Sequence, residues 1–485
     1  MKTVDSFLNS ITMYRLVLYF LILLSGVGLL YSVTGVLPYD PINYIFSFTF
    51  LLVTAGIANK VFSKVFEAHA NTESWIISAL ILGLIIAPPK SLHDIIFLGF
   101  AAVLMVTSKF VLAISKKHIF NPVALSVAVT AIAISGTVNW WVGNVALLPI
   151  VAIGGFLIVR KIKRWDLVLT FLVAALIFIG PARWIRSITD TPLIFFAVIM
   201  LTEPMTSPPT RILRIIYGAL VGILIAPQIH FGNVYTTPEI ALIVGNIFSY
   251  IVSPKYKLLL TLKEKIQLTP DTFDFIFDSV RPVKFIPGQY MEWTLSHEKP
   301  DDRGNRRYLS LASSPTEGNI RIGVKFGNPA SSFKKALINL KPGQKIVAGQ
   351  LIGDFTLPKD PKKKLVIIAG GIGITPFRSM LKYLIDTNQR RDIVVIYTAK
   401  TKDEFVYGDV LEGVEEKLGI RTIYNASSVS GHMNAEILAR DIPDYKDRTF
   451  YISGSHRVVS ALDGILKTLK IPGSQIVTDY FPGFA

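Results

Sequence analysis

No cysteine occurs anywhere in the 485 residues. That absence excludes disulfides, thiolate-ligated iron-sulfur clusters and catalytic thiols, so any electron carried by this chain travels on other groups. Charge is also scarce: charged residues make up 17% against 51% hydrophobic, and nearly all the long uncharged runs precede Ser253. The net charge of +16 does not describe a nucleic-acid face, because Lys and Arg cluster in short loops between apolar runs, as membrane topology requires. Paired histidines at depth are missing as well. His69 and His118 fall in loops on one side and His93 and His230 near the other, which offers no bis-histidine haem site. No metal site is expected. No small-residue cleavage site follows the first apolar run, which therefore reads as a retained helix.

What is present begins with ten apolar segments, starting at Tyr14, Pro41, Ser74, Leu92, Asn121, Gly143, Asp166, Thr191, Arg211 and Thr237. Each is long enough to span a membrane or nearly so, the third, fifth and eighth being short. Alternate loops carry the cations: Lys60 and Lys64, Lys116 and Lys117, Arg160 to Arg164, Arg211 and Arg214, Lys255 and Lys257. By the positive-inside bias these loops, both termini and the second half of the chain lie in the cytoplasm, against a bacterial-type cytoplasmic membrane.

The segments rhyme as two five-helix halves. The third ends in "IIAPPK" and the eighth in "LTEPMTSPPT"; the fifth opens "NPVAL" and the tenth "TPEIAL". Five is odd, so the second copy is inverted, and short proline-broken spans at matching positions point to half-helices meeting at a ligand site. The alternative is that the prolines simply end helices at the interface. Glu203, followed by Pro204 and Thr206, marks the eighth segment's broken end, and Asn121-Pro122 marks the other opening. Glu203 is either a site for a proton, an ion or a flavin N–H, or an interfacial helix cap.

After Ser253-Pro254 the pattern turns to short alternating strands, and from Lys364 strands alternate with helices. The expected architecture is a polytopic α-helical membrane domain of ten spans in two inverted repeats (residues 1–254), a β-barrel (255–359) and an α/β nucleotide-binding domain (360–485). In the last of these, Gly370, Gly371 and Gly373 separate a strand from a helix that opens at Thr375-Pro376. Such a loop lets backbone approach a pyrophosphate and aims unpaired amides at it.

The loop's neighbours, "PGQYMEWTL", "RRYLSLASSPTE", "GNPASSFKKAL", "YISGSHRVVSAL" and the closing "TDYFPGFA", resemble the ferredoxin-NADP reductase family of flavoproteins over Leu258 to Ala485. The resemblance implies FAD and NADH or NADPH as cofactors. It implies that Arg307 holds the FAD pyrophosphate, Ser310 bonds the flavin, Ser331 and Ser332 hold the same pyrophosphate from the other side, and Gly370 to Thr375 hold the nicotinamide dinucleotide. Tyr480, Phe481 and Phe484 would cover the flavin ring or pack as core. Leu309 stands where the family stacks an aromatic, with Tyr308 beside it to compensate, and Ser453-Gly454-Ser455 stands where Cys-Gly-Pro is common. Ser310, Ser453 and Phe484 are the residues expected at the hydride path, with Gly454 beside the nicotinamide. Lys400 and Lys402 could meet a 2′-phosphate, and Asp403 and Glu404 would oppose it.

The membrane half, in "KHIFNPVALSVAV", "GGFLIVRKIKRWD" and "FFAVIMLTEPMTSPP", resembles the family of ten-span membrane proteins found in both the sodium-translocating NADH:quinone reductase and the Rnf complex. That resemblance implies a second flavin, FMN or riboflavin, with Asn121, Glu203 and Thr206 as its candidate contacts. The Ser-Gly-Ala-Thr attachment motif is absent, and Ser135-Gly136-Thr137 is the nearest string. Together the two resemblances imply an NAD(P)H-oxidising enzyme passing electrons through FAD to a membrane flavin and on to an outer acceptor. A quinone reductase and a redox-driven ion pump are the alternatives. The expected partners are lipid and a soluble or quinone acceptor, with no nucleic acid and no obligatory companion chain.

Overall fold

The computed structural model describes residue 4, residues 7–8 and residues 11–481, apart from 67–71, 115–116, 137, 190, 232–233, 254–256, 299–300, 302–304 and 328. Two units emerge, Met1–Tyr256 and Lys257–Ala485.

The first unit is helical, with a helix at each of the ten apolar segments: α1 Met13–Val33, α2 Pro41–Val65, α3 Thr72–Ile85, α4 Leu92–Val111, α5 Pro122–Ala133, α6 Leu148–Ile162, α7 Trp165–Ile179, then the short α8 Trp184–Thr189, α9 Leu193–Phe195, α10 Arg211–Leu224 and α11 Pro238–Val252. Their starts follow local chemistry. Asp40 caps α2 ahead of Pro41, and Ser91 and Asp94 form a reciprocal capping box on α4, satisfying amides that have no partner in the first turn. Among the described residues three helices are long and apolar enough to cross a membrane: α1, α2 and α4. A fourth is counted if the bent pair Trp165–Ile179 and Pro181–Thr189, which turns by 105°, is one span. The third segment is 14 residues and the fifth 12, shorter than the ~20 that a full span takes. The eighth is α9 running into a π-helical turn, Phe196–Met200, a distortion that frequently marks functional sites.

The helices pack in a repeated pattern. α1 packs on α3, α2 on α4, and α4 on α5; likewise α6 packs on α9, α7 on α10, and α10 on α11. Across the two sets α1 touches α6 and α5 touches α11. Two short hairpins complete the unit, β1 and β2 (Ala113–Ile114, Lys117–His118) and β3 and β4 (His230–Phe231, Val234–Tyr235).

The second unit has two sheets. Strands β5 Lys257–Thr269, β6 Thr272–Ser279, β7 Tyr290–Thr294, β8 Arg306–Ser310, β9 Ile320–Lys325 and β10 Lys345–Ile352 form an antiparallel sheet in the order β8-β7-β10-β5-β6-β9. In β9, "IRIGVK", buried and half-buried residues alternate, the period of a strand with one face on a core. That core gathers Phe275, Phe277, Trp293, Ile322 and Phe333.

A parallel sheet follows, from β11 Leu365–Gly370, β12 Ile393–Ala399, β13 Arg421–Ala426, β14 Thr449–Ser455 and β15 Ile476–Phe481, in the order β13-β12-β11-β14-β15. All six residues of β11 are buried, as a central parallel strand covered by helices on both faces requires. The order reverses between β11 and β14. In open α/β sheets that switch point opens a crevice at the carboxyl ends of the strands, where ligands bind.

Candidate functional site: two polar clusters, one in each unit

The glycine loop occupies the switch point. β11 passes through a tight turn, Gly371–Ile374, directly into helix Thr375–Asp386, and the Thr375 hydroxyl donates to the Ile372 carbonyl at 3.0 Å. Gly371 has φ +54° and a Cβ there would meet nothing within 4 Å, so the loop is open on that side. A Cβ on Gly373 would instead overlap the Ser453 carbonyl, and only glycine lets the two loops close on each other. Ala369 pairs with Ser453 in register, which sets Gly370, Gly373, Ser453 and Gly454 side by side. Ser453 is fully buried, and its hydroxyl has no hydrogen-bond partner among the described residues.

The barrel holds the other residues singled out in the sequence. Ser310 ends β8 buried, and its hydroxyl is likewise without a partner among the described residues. Arg307 on the same strand donates to both carboxylate oxygens of Asp301, at 3.0 and 3.3 Å, and lies over the Phe333 ring. Ser332 donates its amide to Asp301 Oδ2 at 3.0 Å, while Ser331 caps the same helix by accepting from the Lys334 amide. Arg307 and Ser332 thus converge on one anionic group. Those features, an orphaned buried hydroxyl and a guanidinium and amide already gripping an anion, fit FAD with its pyrophosphate.

The aromatic residues lie as follows. Strand alternation puts Leu309 on the Arg307 face and Tyr308 on the other. Tyr308 is 43% exposed, donates to Glu292 Oε2 at 3.0 Å, and meets Tyr290 edge-on. It therefore does not replace the missing aromatic beside Arg307. Phe481 ends β15 opposite Ser455, and Phe484 lies outside the described residues. Of the acidic pair after β12, Glu404 is held by Lys325 at 2.8 Å, which neutralises one of the two charges opposing a 2′-phosphate and leaves Asp403 exposed beside exposed Lys400 and Lys402.

Sequence reasoning missed the joint between the barrel and the parallel sheet. Arg378 donates to both oxygens of Glu317, at 2.8 and 3.0 Å, and to the Ala312 carbonyl. Tyr407 donates to Asp274 Oδ1 at 2.5 Å, and Arg321 donates to Asp274 Oδ2 at 3.1 Å. Burial pushes the Asp274 carboxyl up, partly offset by the Tyr407 hydroxyl and Arg321. Burial also raises Glu317, but the Arg378 bonds and charge and the Ser314 amide outweigh it and hold the carboxyl below its usual range. Tyr407 sits at φ 62°, a conformation costly for a bulky residue. No periodicity announces these pairs, since their members are 61 and 133 residues apart.

In the helical unit the three residues singled out at the breaks meet. Glu203 Oε2 accepts from Asn121 Nδ2 at 2.9 Å and from the Thr206 hydroxyl at 3.0 Å. Asn121 Oδ1 meanwhile caps α5 through the Val123 and Ala124 amides, and the Asn121 amide donates to Asn246 Oδ1 at 2.8 Å. Asn246 in turn donates to the Tyr217 hydroxyl. His118, expected in a loop, reaches Glu203 Oε1 at 3.4 Å. A small cleft beside this cluster is lined by His118, Met205, Thr206 and Asn246. Among the described residues that 3.4 Å contact is the one Oε1 makes, and a carboxylate oxygen has two lone pairs. Thr137 lies outside the described residues, so the Ser135-Gly136-Thr137 string has no complete geometry.

Comparison with known proteins agrees with this division. Residues 133–255 match the NQR2, RnfD, RnfE family, and residues 367–461 match the oxidoreductase NAD-binding domain. Flavohemoprotein A of Dictyostelium discoideum is 25% identical over 231 residues, 45% of this chain and 58% of that protein. The glycine betaine monooxygenase reductase subunit of Chromohalobacter salexigens is 26% identical over 216 residues, 42% of this chain and 58% of that one. The chain thus spans a little over half the length of these curated relatives. The FAD/NAD-binding domain of nitric oxide dioxygenase from Vibrio cholerae is similar at 21% identity, covering 46% of this chain and 98% of that domain, with a TM-score of 0.41. One chain thus carries a match to the NQR2, RnfD, RnfE family in its helical unit and a match to the oxidoreductase NAD-binding domain in its second unit.

Proposed function

We propose that this protein oxidises NAD(P)H on its FAD-binding module and delivers the electrons, through a second flavin in the membrane unit, to an acceptor on the far side of the membrane. The observation that carries the reading is the fusion itself: a switch point with the buried Ser453 hydroxyl and a barrel with the buried Ser310 hydroxyl, both without a partner among the described residues, share one cysteine-free chain with an NQR2, RnfD, RnfE segment. FAD, when bound, supplies the ability to take two electrons from a nicotinamide and release them one at a time.

The residues have separable tasks. Gly371 leaves room for the dinucleotide phosphates, and Gly373 lets Ser453 close on the loop. The Ser453 and Ser310 hydroxyls orient the reacting rings by bonding their polar edges. Arg307, whose planar fork suits a pyrophosphate, exchanges Asp301 for it. The Asp274 and Glu317 pairs fix the barrel against the parallel sheet, so that the two ring sites keep their spacing.

In the membrane unit the reading is ten segments in two inverted halves, with the module and both termini on the cytoplasmic side. The repeated neighbour relations support it, as do the two breaks. Glu203, after the eighth segment, meets the start of α5. Glu239, at the start of α11, accepts from the Trp140 indole at 3.0 Å, and the Trp140 amide donates to the Ile85 carbonyl at the end of α3. Asn121, Glu203 and Thr206, which meet at these breaks, are the contacts this reading gives the second flavin.

Vectorial assay tests the proposal. Proteoliposomes enclosing a membrane-impermeant ferric chelate receive NADH or NADPH outside. Reduction of the trapped chelate is expected. Reduction confined to chelate on the nucleotide side would overturn the transmembrane step.

A further inference from the structure

The end of the barrel where the chain arrives from the helical unit carries an exposed apolar and basic loop. α11 ends at Val252 and β5 begins at Lys257, so four residues of sequence join the two units. β6 runs antiparallel to β5 with Leu260 opposite Ser279, so the β6–β7 connection emerges at that same end. Leu259 and Val280 each lie one residue beyond that last pair. Leu259 is 45% exposed, Val280 95% and Ile286, further along the connection, 57%. Arg281 and Lys284 stand between them, both exposed, with no ion pair among the described residues. One exposed carboxylate, Asp278, lies next inward along β6.

Single exposed apolar side chains are ordinary. Three of them, interleaved with two unpaired cations at the tethered end of a module, have no role in folding that the packing reveals. We propose that this loop docks on an anionic bilayer surface, with Leu259, Val280 and Ile286 entering the headgroup layer and Arg281 and Lys284 meeting lipid phosphates. Apolar insertion and cationic attraction are the two terms that hold a peripheral surface on such a membrane. Docking would hold the reductase module against the bilayer that its electrons enter, and it is independent of what the membrane unit binds.

The lack of native cysteine makes a direct test available in the full chain. Val280→Cys, and Val429→Cys as a control at a residue 68% exposed on the parallel-sheet side, each carry one environment-sensitive dye in nanodiscs containing doxyl-labelled lipid. With anionic lipid present, the dye at position 280 is expected to be quenched about twofold or more beyond the control. That excess is expected to fall by about half in an Arg281→Glu, Lys284→Glu background or in purely zwitterionic lipid, as the electrostatic term requires. Equal quenching at the two positions would overturn docking. Protection from aqueous iodide without lipid quenching would also overturn it, in favour of a protein contact. Excess quenching indifferent to both cations and lipid charge would overturn the assignment to an anionic surface.

Discussion

Asn121 and Glu203, 82 residues apart, are joined by a 2.9 Å hydrogen bond between the start of α5 and the break that follows the π-helical turn. The same asparagine caps α5 with its other side-chain atom, so one residue both starts a half-length helix and aims at a carboxylate. Asn121→Ala is expected to destabilise the helical unit by about 2 kcal/mol, the cost of leaving buried polar groups unsatisfied. Thermal unfolding of the purified chain in detergent measures it, and an unchanged midpoint would show that the bond holds nothing together.

The glycine loop makes a contrast between neighbours. Gly373→Ala drives a methyl into the Ser453 carbonyl and is expected to weaken pyridine-nucleotide binding by about tenfold or more, about 1.4 kcal/mol, with FAD retained. Gly371→Ala meets no atom but strains a positive φ, and is expected to cost about 1 kcal/mol of stability. Calorimetric titration with a non-reducing nucleotide analogue, beside FAD content, separates the two.

Ser310→Ala removes a hydroxyl that has no protein partner among the described residues. A structural serine of that kind should be replaced at no loss. A flavin-bonding one is expected to cost about 1 kcal/mol of FAD affinity, read as about fivefold faster FAD release with an unchanged unfolding midpoint of the apoprotein.

Acid and base act in opposite senses at the joint between barrel and parallel sheet. Glu317 has its carboxyl held low in the folded state, so it contributes stability above its unfolded value and loses it as pH falls through the folded one. Asp274 is raised, so its contribution is complete at low pH and is lost as pH rises through the raised value. Glu317→Gln, which strands a buried Arg378, is expected to cost about 3 kcal/mol at neutral pH and to flatten the acid limb. Denaturant titrations of wild type and variant at several pH values provide the measurement, and an acid limb of equal steepness in both would contradict the assignment.

Much of this was legible before any coordinates. Helices do begin at the segments read from Pro41, Asn121 and Thr237, where proline at the first helical position after a capping side chain is a local signal. The glycine loop and its parallel sheet were equally local. The meeting of Asn121, Glu203 and Thr206 was foreshadowed only by the proline rhyme. What the sequence hid was long-range: Tyr407 on Asp274, Arg378 on Glu317, and His118 folding back from a hairpin to Glu203. Tyr308 lies on the face of β8 opposite Arg307, because neighbours along a strand face opposite ways.

The central claim is a two-flavin path within one chain, and a flavin census tests it most directly. The full chain is purified in mild detergent and denatured; FAD, FMN and riboflavin are quantified per polypeptide, and the protein pellet is checked for bound fluorescence. One FAD and one further flavin per chain is the predicted result. FAD alone, with neither free nor bound second flavin, would contradict the account.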